Sequence, residues 1–153
     1  MLLVISCAKT DVSILKKDID RYSAIEQELN VKIKLINEQM VKSISDFKQT
    51  NDAAKFEKDN LDIENKLKNL LLLTKEIKVY IATKEMQKYH DYTIKSLEIQ
   101  SEYVRETIRQ FKNMGEHDST NNAKLTQVIY GRKIREIQKK QTKLLKNIVK
   151  EMK

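Results

Sequence analysis

The residues that most often do chemistry in proteins are scarce in this sequence. It contains two histidines, His90 and His117, and one cysteine, Cys7. Stable zinc sites usually draw on four ligands, several of them His or Cys, so we predict no metal site and expect packed or solvated histidines. The two glycines, Gly115 and Gly131, cannot build a nucleotide-binding or nucleophile motif. We therefore expect no cofactor and predict that the chain is not an enzyme.

Positive charge is concentrated near the end of the chain. The net charge is +8, and residues 132–153 hold nine basic residues against two acidic ones. Such a block attracts nucleic acid, anionic lipid, sulfated glycans or wall polymers, although it could also serve only as a solubilising face. Base stacking is not expected, because Tyr130 is the last aromatic residue. The predicted polyanion-binding residues are Arg132, Lys133, Arg135, Lys139, Lys140, Lys143, Lys146 and Lys150.

A short aliphatic stretch precedes the cysteine. Val4-Ile5-Ser6-Cys7 resembles the lipobox of bacterial lipoproteins, in which an aliphatic, a variable and a small residue precede the lipidated cysteine. The resemblance implies cleavage before Cys7, acylation of Cys7 and export to an envelope surface. An upstream extension with basic and apolar residues would complete the signal. The alternative is that Cys7 is a small apolar residue near a frayed terminus.

The overall composition also favours the lipoprotein interpretation. The abundance of Lys, Asn and Ile is similar to that of small helical surface lipoproteins of spirochaetes. Under this interpretation residues 1–10 are a signal remnant and tether, and residues 11–153 form a single helical domain. The implied location is a bacterial cell envelope.

Apolar spacing predicts a chain built from helices. Pro is absent and 34% of the residues are charged, a composition typical of helical bundles and coiled coils. The first helix is predicted from Val12 to about Gln49, and Thr50-Asn51-Asp52 should reverse the chain. After a loop at 113–122, the last helix is predicted from about Ala123 to Glu151. The first heptad seam is Leu15, Ile19, Tyr22, Glu26, Leu29, Ile33, Ile36, Met40, Ser43 and Phe47, and the last is Tyr130, Ile134, Ile137, Gln141, Leu144 and Ile148.

The central stretch, residues 54–112, contains neither Gly nor Pro. Its apolar residues predict one very long helix or two nearly continuous ones. The register drifts over residues 82–93, and without a helix breaker a stutter is favoured over a break. An unbroken stretch gives a three-helix rod, whereas a reversal near Tyr89 gives a compact four-segment bundle. The leucines at 70–73 are predicted to form a wide buried face.

Two tyrosines in the drifting interval have alternative interpretations. Tyr89 and Tyr92 could form an exposed pair that anchors a protein partner, because tyrosine is enriched at interaction hot spots. The favoured interpretation is that they fill the space that an aliphatic seam leaves open.

The sequence therefore predicts an all-α, antiparallel three-helix or four-segment elongated bundle with coiled-coil packing. The leading functional hypothesis is a non-enzymatic, lipid-anchored envelope protein that binds a protein or a polyanion. The alternative is a soluble intracellular coiled-coil protein that binds nucleic acid or another polyanion through its basic last helix. Exposed apolar residues along a thin rod would also favour a homodimer.

Overall fold

The computed structural model of the protein describes residues 11–113 and 119–152. Within these ranges the chain forms four α-helices, one 3-10 turn and no strand. The helices are α1 (Val12–Thr50), α2 (Ala53–Ile77), α3 (Lys84–Asn113) and α4 (Ser119–Glu151), and the 3-10 turn is Lys78–Tyr80. Each helix packs against the next one along the chain. The predicted all-α bundle is confirmed, in its four-segment form.

The first reversal follows the predicted turn chemistry. α1 ends at Thr50, and the C-cap Asn51 adopts the left-handed conformation with φ of 53° and donates its backbone N–H to the Phe47 carbonyl. Asp52 then caps α2, because its carboxylate accepts the backbone N–H of Lys55 at 3.0 Å. Asparagine is common in the left-handed conformation and aspartate is common at helix N-caps, because their short polar side chains can bond to the nearby backbone. The tight turn makes α1 and α2 antiparallel neighbours.

α3 and α4 also run antiparallel. Gln110 near the end of α3 donates to the Thr126 hydroxyl near the start of α4 at 2.7 Å. Thr93 near the start of α3 accepts from Gln141 near the end of α4 at 2.9 Å. The chain therefore runs up, down, up and down. We call the end holding the start of α1, residues 78–83 and the end of α4 the lower end, and the opposite end the upper end.

The central stretch is not continuous, which corrects the favoured prediction. α2 ends at Ile77, and the backbone is extended at Ile81 before α3 begins at Lys84. The break therefore precedes Tyr89, the predicted reversal point, by several residues. Ile77, Val79, Ile81 and Thr83 are β-branched and alternate along the chain, and β-branched side chains lose rotamer freedom in a helix. This alternation weakens the helix locally, but only slightly.

Asp18 of α1 stabilises the start of α3 from across the bundle. Its carboxylate accepts the backbone N–H and the hydroxyl of Thr83 at 2.8 and 2.7 Å, and the backbone N–H of Ala82 at 3.4 Å. Backbone N–H groups at a helix start have no intrahelical partner and need an acceptor. Asp18 supplies this acceptor, which a sequence neighbour usually provides.

His90 of α3 closes the end of α2 in a comparable way. Its Nε2 lies 2.7 Å from the Thr74 carbonyl oxygen. The backbone N–H of Lys78, which would bond Thr74 in a continuing helix, instead bonds the Lys75 and Glu76 carbonyls. A carbonyl can only accept, so Nε2 carries the proton. Asp18 thus fixes the start of α3 and His90 the end of α2. These contacts stabilise the turn although it contains neither Gly nor Pro.

Asp18→Ala is expected to lower the free energy of unfolding by about 2 kcal/mol, because it leaves three donors of the α2–α3 turn without their acceptor. Urea denaturation followed by circular dichroism measures this change. Asp20→Ala, an exposed position on the same helix, is the matched control and should change stability by less than about 0.5 kcal/mol. Equal effects of the two substitutions would contradict the capping role.

The hydrophobic core consists of two clusters, and both confirm the predicted seams. The upper cluster joins α1, α2 and α3, whereas the lower cluster joins α1, the turn between α2 and α3, α3 and α4. All ten predicted seam positions of α1 and all six of α4 are buried or half-buried. The upper cluster contains Leu29, Ile36, Met40, Ile63, Leu67, Leu70, Leu97, Val104 and Ile108, and the lower one Leu15, Tyr22, Ile81, Met86, Tyr89 and Ile148.

Two smaller predictions need correction. Leu72 and Leu73 are each 51% exposed, so the leucine run does not form a wide buried face; only Leu70 is fully buried there and Leu71 half-buried. α4 begins at Ser119, four residues before the predicted Ala123. Ser119 therefore belongs to the helix rather than to the predicted loop, of which residues 114–118 lie outside the described ranges.

Candidate functional site

The periodicity of α4 places most of its basic residues on one outward face. With about 100° of rotation per residue, six of them fall within about 80° of arc opposite Ile137, which is buried against the bundle. All six are exposed. We call this face the α4 stripe, and its residues are Arg132, Arg135, Lys139, Lys143, Lys146 and Lys150.

The α4 stripe is straight and continuous. Its residues follow one another at intervals of three and four, so each lies about one helical turn from the next. From Arg132 to Lys150 the stripe is about 27 Å long at 1.5 Å per residue. A shallow surface depression of about 440 Å³ follows its middle, lined by Arg135, Lys139, Lys143 and Lys146 together with Gln138 and Thr142. This row of charges offers a linear contact surface.

The other two predicted polyanion-binding residues flank the stripe. Lys133 and Lys140 are exposed and lie to one side of it, nearer the packed face of α4. The Lys133 ammonium lies 4.8 Å from the ring centre of Tyr130, in cation–π geometry. The structure therefore brings all eight predicted residues onto one helix and separates them into a stripe of six and a flank of two.

The cations of α4 differ from those of the other helices in their pairing. Within the described ranges none of the eight forms an ion pair with a carboxylate, whereas Lys66 pairs with Asp62 at 2.6 Å and Lys55 with Asp46 at 2.7 Å. A neighbouring anion would cancel much of the field of an exposed cation. Glu136 is exposed beside the stripe, and six cations against this one carboxylate leave the stripe with a net positive surface, which favours an anionic partner.

The exposed-pair interpretation of Tyr89 and Tyr92 is wrong for Tyr89. Tyr89 is 7% exposed and packs edge-on against Tyr22, with ring centres 5.5 Å apart. Its hydroxyl donates to the Glu26 carboxylate at 3.1 Å, and burial together with that carboxylate raises the pKa of Tyr89 to about 12. Tyr92 is half-buried. The space-filling interpretation is confirmed for Tyr89.

His90 is a packed histidine, as expected. It is fully buried, its Nδ1 accepts a hydrogen bond from the Tyr22 hydroxyl at 2.7 Å, and burial lowers the pKa of the imidazole. Both ring nitrogens are occupied, so neither is available to a metal. In the parts of the chain that the structure describes, no three His, Cys, Asp or Glu residues are grouped so as to hold a metal ion. His117 lies outside the described residues.

The predicted lipidation residue Cys7 and the Val4–Ser6 stretch before it also lie outside the described residues. Asp11, the N-cap of α1, is the first described residue and lies at the lower end. Met152 packs against the lower cluster. Residues 8–10 are all that separate Cys7 from Asp11, so an acyl chain on Cys7 would be attached close to the lower end.

Sequence reasoning overlooked several residues at the lower end. Asp18 and His90 act across more than sixty residues of sequence, and a single sequence carries no signal for such pairings. Val79 and Tyr80 are 85% and 68% exposed in the turn between α2 and α3. The only local signal is the alternation of β-branched residues at 77, 79, 81 and 83, and it is weak because such residues lower helix propensity only slightly.

No family model, no curated protein and no solved structure matches this chain. Among the described helices, none combines the length and the apolar character needed to cross a membrane.

Proposed function

We propose that this chain is a non-enzymatic, lipid-anchored helical protein of a bacterial envelope that binds another macromolecule through the α4 stripe. The main support is the row of six exposed basic residues without carboxylate partners in the described chain. The lipobox-like Val4-Ile5-Ser6-Cys7 supports the anchor. The scarcity of catalytic residue types supports a binding role rather than an enzymatic one.

The partner we propose for the α4 stripe is a polyanionic macromolecule of the envelope. Arg and Lys at intervals of one helical turn can contact successive charges of an extended polymer, while the side chains remain solvated. The stripe contains no aromatic residue, and its depression is shallow. These features suit a flexible, charged polymer better than a small ligand, which needs a concave and largely apolar pocket.

Acylation of Cys7 gives the first test. In cells that produce the protein and are fed a clickable palmitate analogue, the wild type should become labelled and Cys7→Ser should not. The matched control is Ser13→Ala, a nearby exposed position outside the lipobox-like stretch, which should be labelled like the wild type. An unlabelled wild type, or equal labelling of Cys7→Ser, would contradict the lipid anchor.

Nucleic acid is the second candidate partner, and the same row of charges favours it. Phosphate contacts along about 27 Å of helix would bind DNA or RNA without reading its sequence. Affinity for duplex DNA should then fall steeply with salt, with a slope set by the number of neutralised phosphates. A protein that binds duplex DNA tightly and is not acylated would favour the soluble nucleic-acid-binding alternative.

A further inference from the structure

Three separate segments of the chain bring exposed apolar side chains to the lower end. The turn between α2 and α3 contributes Val79 and Tyr80, which are 85% and 68% exposed. The first turn of α1 contributes Val12 and Ile14, at 47% and 42%, and the end of α4 contributes Val149, at 44%. Leu15, Ile81 and Ile148 meet in the lower cluster, which places these segments side by side. We call Val12, Ile14, Val79, Tyr80 and Val149 the apolar tip.

The turn that carries Val79 and Tyr80 is held in place. Ile81 is buried in the lower cluster, and the Arg21 guanidinium donates to the Tyr80 carbonyl at 3.4 Å. Asp18 fixes Ala82 and Thr83 on the other side. The residues around Val79 and Tyr80 are anchored to α1 and to the core. The packed fold therefore keeps these two side chains exposed.

Basic residues surround the apolar tip. Lys16 and Lys17 follow Ile14 on α1, Lys78 and Lys84 flank the turn, and Lys150 follows Val149 on α4. Several carboxylates at this end are engaged within the protein. Asp18 accepts from the turn, Asp11 accepts from the backbone of Ser13, and Asp91 pairs with Lys78 at 2.6 Å. Asp20 and Glu76 are also exposed at this end. Four exposed lysines around the apolar tip, Lys16, Lys17, Lys84 and Lys150, have no ion pair within the described chain.

We propose that the lower end of the bundle is a docking surface for an anionic lipid bilayer. Tyrosine is favoured at the headgroup level of a membrane, where its ring is buried and its hydroxyl stays hydrated. Valine side chains can enter the same layer, while the surrounding lysines are attracted to anionic headgroups. The occupant is a membrane surface rather than a protein, because the exposed valines and tyrosine are combined with exposed lysines, and anionic lipid attracts both kinds of side chain.

This inference deepens the proposed function and rests on it for the presence of a membrane beside the protein. A single acyl chain gives only marginal membrane binding, and a second signal such as a basic patch makes it stable. The apolar tip and its lysines would be that second signal, close to Cys7. With the lower end on the bilayer, the α4 stripe would point away from it, with Lys150 at the surface and Arg132 about 27 Å outward.

The test uses the unacylated Cys7→Ser protein, so that it does not depend on the lipid anchor. Co-sedimentation should show binding to vesicles of equal parts phosphatidylcholine and phosphatidylglycerol, and little binding to phosphatidylcholine alone. The double variant Val79→Ser/Tyr80→Ser should bind the anionic vesicles about tenfold more weakly. Binding that does not depend on phosphatidylglycerol would overturn the inference.

Two matched controls sharpen the test. Val31→Ser/Leu35→Ser removes two apolar side chains, each 59% exposed, from the side of α1, and should leave vesicle binding within about twofold. Arg132→Gln/Arg135→Gln removes charge from the upper stripe and should also stay within about twofold. A larger loss in the second control would indicate that α4 lies flat on the membrane, which contradicts end-on docking.

A second copy of the chain is the competing occupant of the apolar tip. Sedimentation velocity of the wild type and Val79→Ser/Tyr80→Ser proteins without lipid distinguishes it. A wild-type dimer that the double substitution abolishes, together with unchanged vesicle binding, would overturn the inference and assign the tip to a second copy of the chain. The vesicle experiment uses the unacylated protein, so its result does not depend on palmitate labelling. The lipid anchor and the membrane-docking surface can therefore be refuted independently.

Discussion

Replacing His90 by alanine is expected to lower the free energy of unfolding by about 3 kcal/mol, one of the largest effects of any single substitution in this bundle. The imidazole is fully buried and joins three helices, since it lies on α3, accepts from Tyr22 of α1 and donates to the Thr74 carbonyl of α2. Its removal leaves a cavity and two buried polar groups without their partner. Urea denaturation measures the change.

The controls for His90 separate packing from hydrogen bonding. His90→Gln retains a polar side chain that can donate to Thr74, so its loss of stability should be about half that of His90→Ala. Lys88→Ala, an exposed position on the same helix, should change stability by less than about 0.5 kcal/mol. A loss below about 1 kcal/mol for His90→Ala would contradict the three-helix role of the imidazole.

The same site predicts a dependence of stability on pH. Burial lowers the pKa of His90 in the folded protein below its ordinary value of 6.5. Below about pH 6.5 the unfolded chain therefore binds a proton at this residue that the folded chain does not. Wild-type stability should fall as the pH drops from about 7 to 5.5, by up to about 1.4 kcal/mol per pH unit, and His90→Gln should lack this component.

Neutralising the middle of the α4 stripe is expected to weaken polyanion binding about a hundredfold, if each cation contributes roughly 0.7 kcal/mol. The quadruple variant is Arg135→Gln/Lys139→Gln/Lys143→Gln/Lys146→Gln. All four side chains are exposed and line the same depression, so the fold should be retained. Heparin is the probe, and isothermal titration calorimetry measures its affinity.

A control with the same net charge is available on the other helices. Lys42, Lys58, Lys68 and Lys95 are exposed and lie outside α4, and replacing all four by glutamine removes the same amount of charge. This control should bind heparin within about threefold of the wild type, because only its long-range field changes. Equal losses in both quadruple variants would show that net charge, rather than the stripe, governs binding.

Local sequence patterns predicted the parts of the fold that local physics decides. The heptad seam of α1 and the Asn51-Asp52 turn are correct because spacing and capping act within a few residues. The break after Ile77 was missed because its caps, Asp18 and His90, come from other helices. Leu72 and Leu73 were misplaced because hydrophobicity alone does not tell which side of a helix meets a neighbour.

The candidate functional surfaces also divide into one that the local sequence predicts and one that depends on tertiary contacts. The basic residues of α4 were predictable from composition, and helical periodicity alone separates the stripe from Lys133 and Lys140. The apolar tip was not predictable, because it depends on how Val12, Val79 and Val149 come together through the tertiary fold.

The salt dependence of heparin binding tests the central claim most directly. For the wild type, the logarithm of the affinity should fall linearly with the logarithm of the salt concentration, as counterions are released from the polyanion. The quadruple α4 variant should show a slope shallower by about three to four, whereas the matched control should retain the wild-type slope. Parallel slopes for all three proteins, or no measurable binding by the wild type, would contradict a binding role for the α4 stripe.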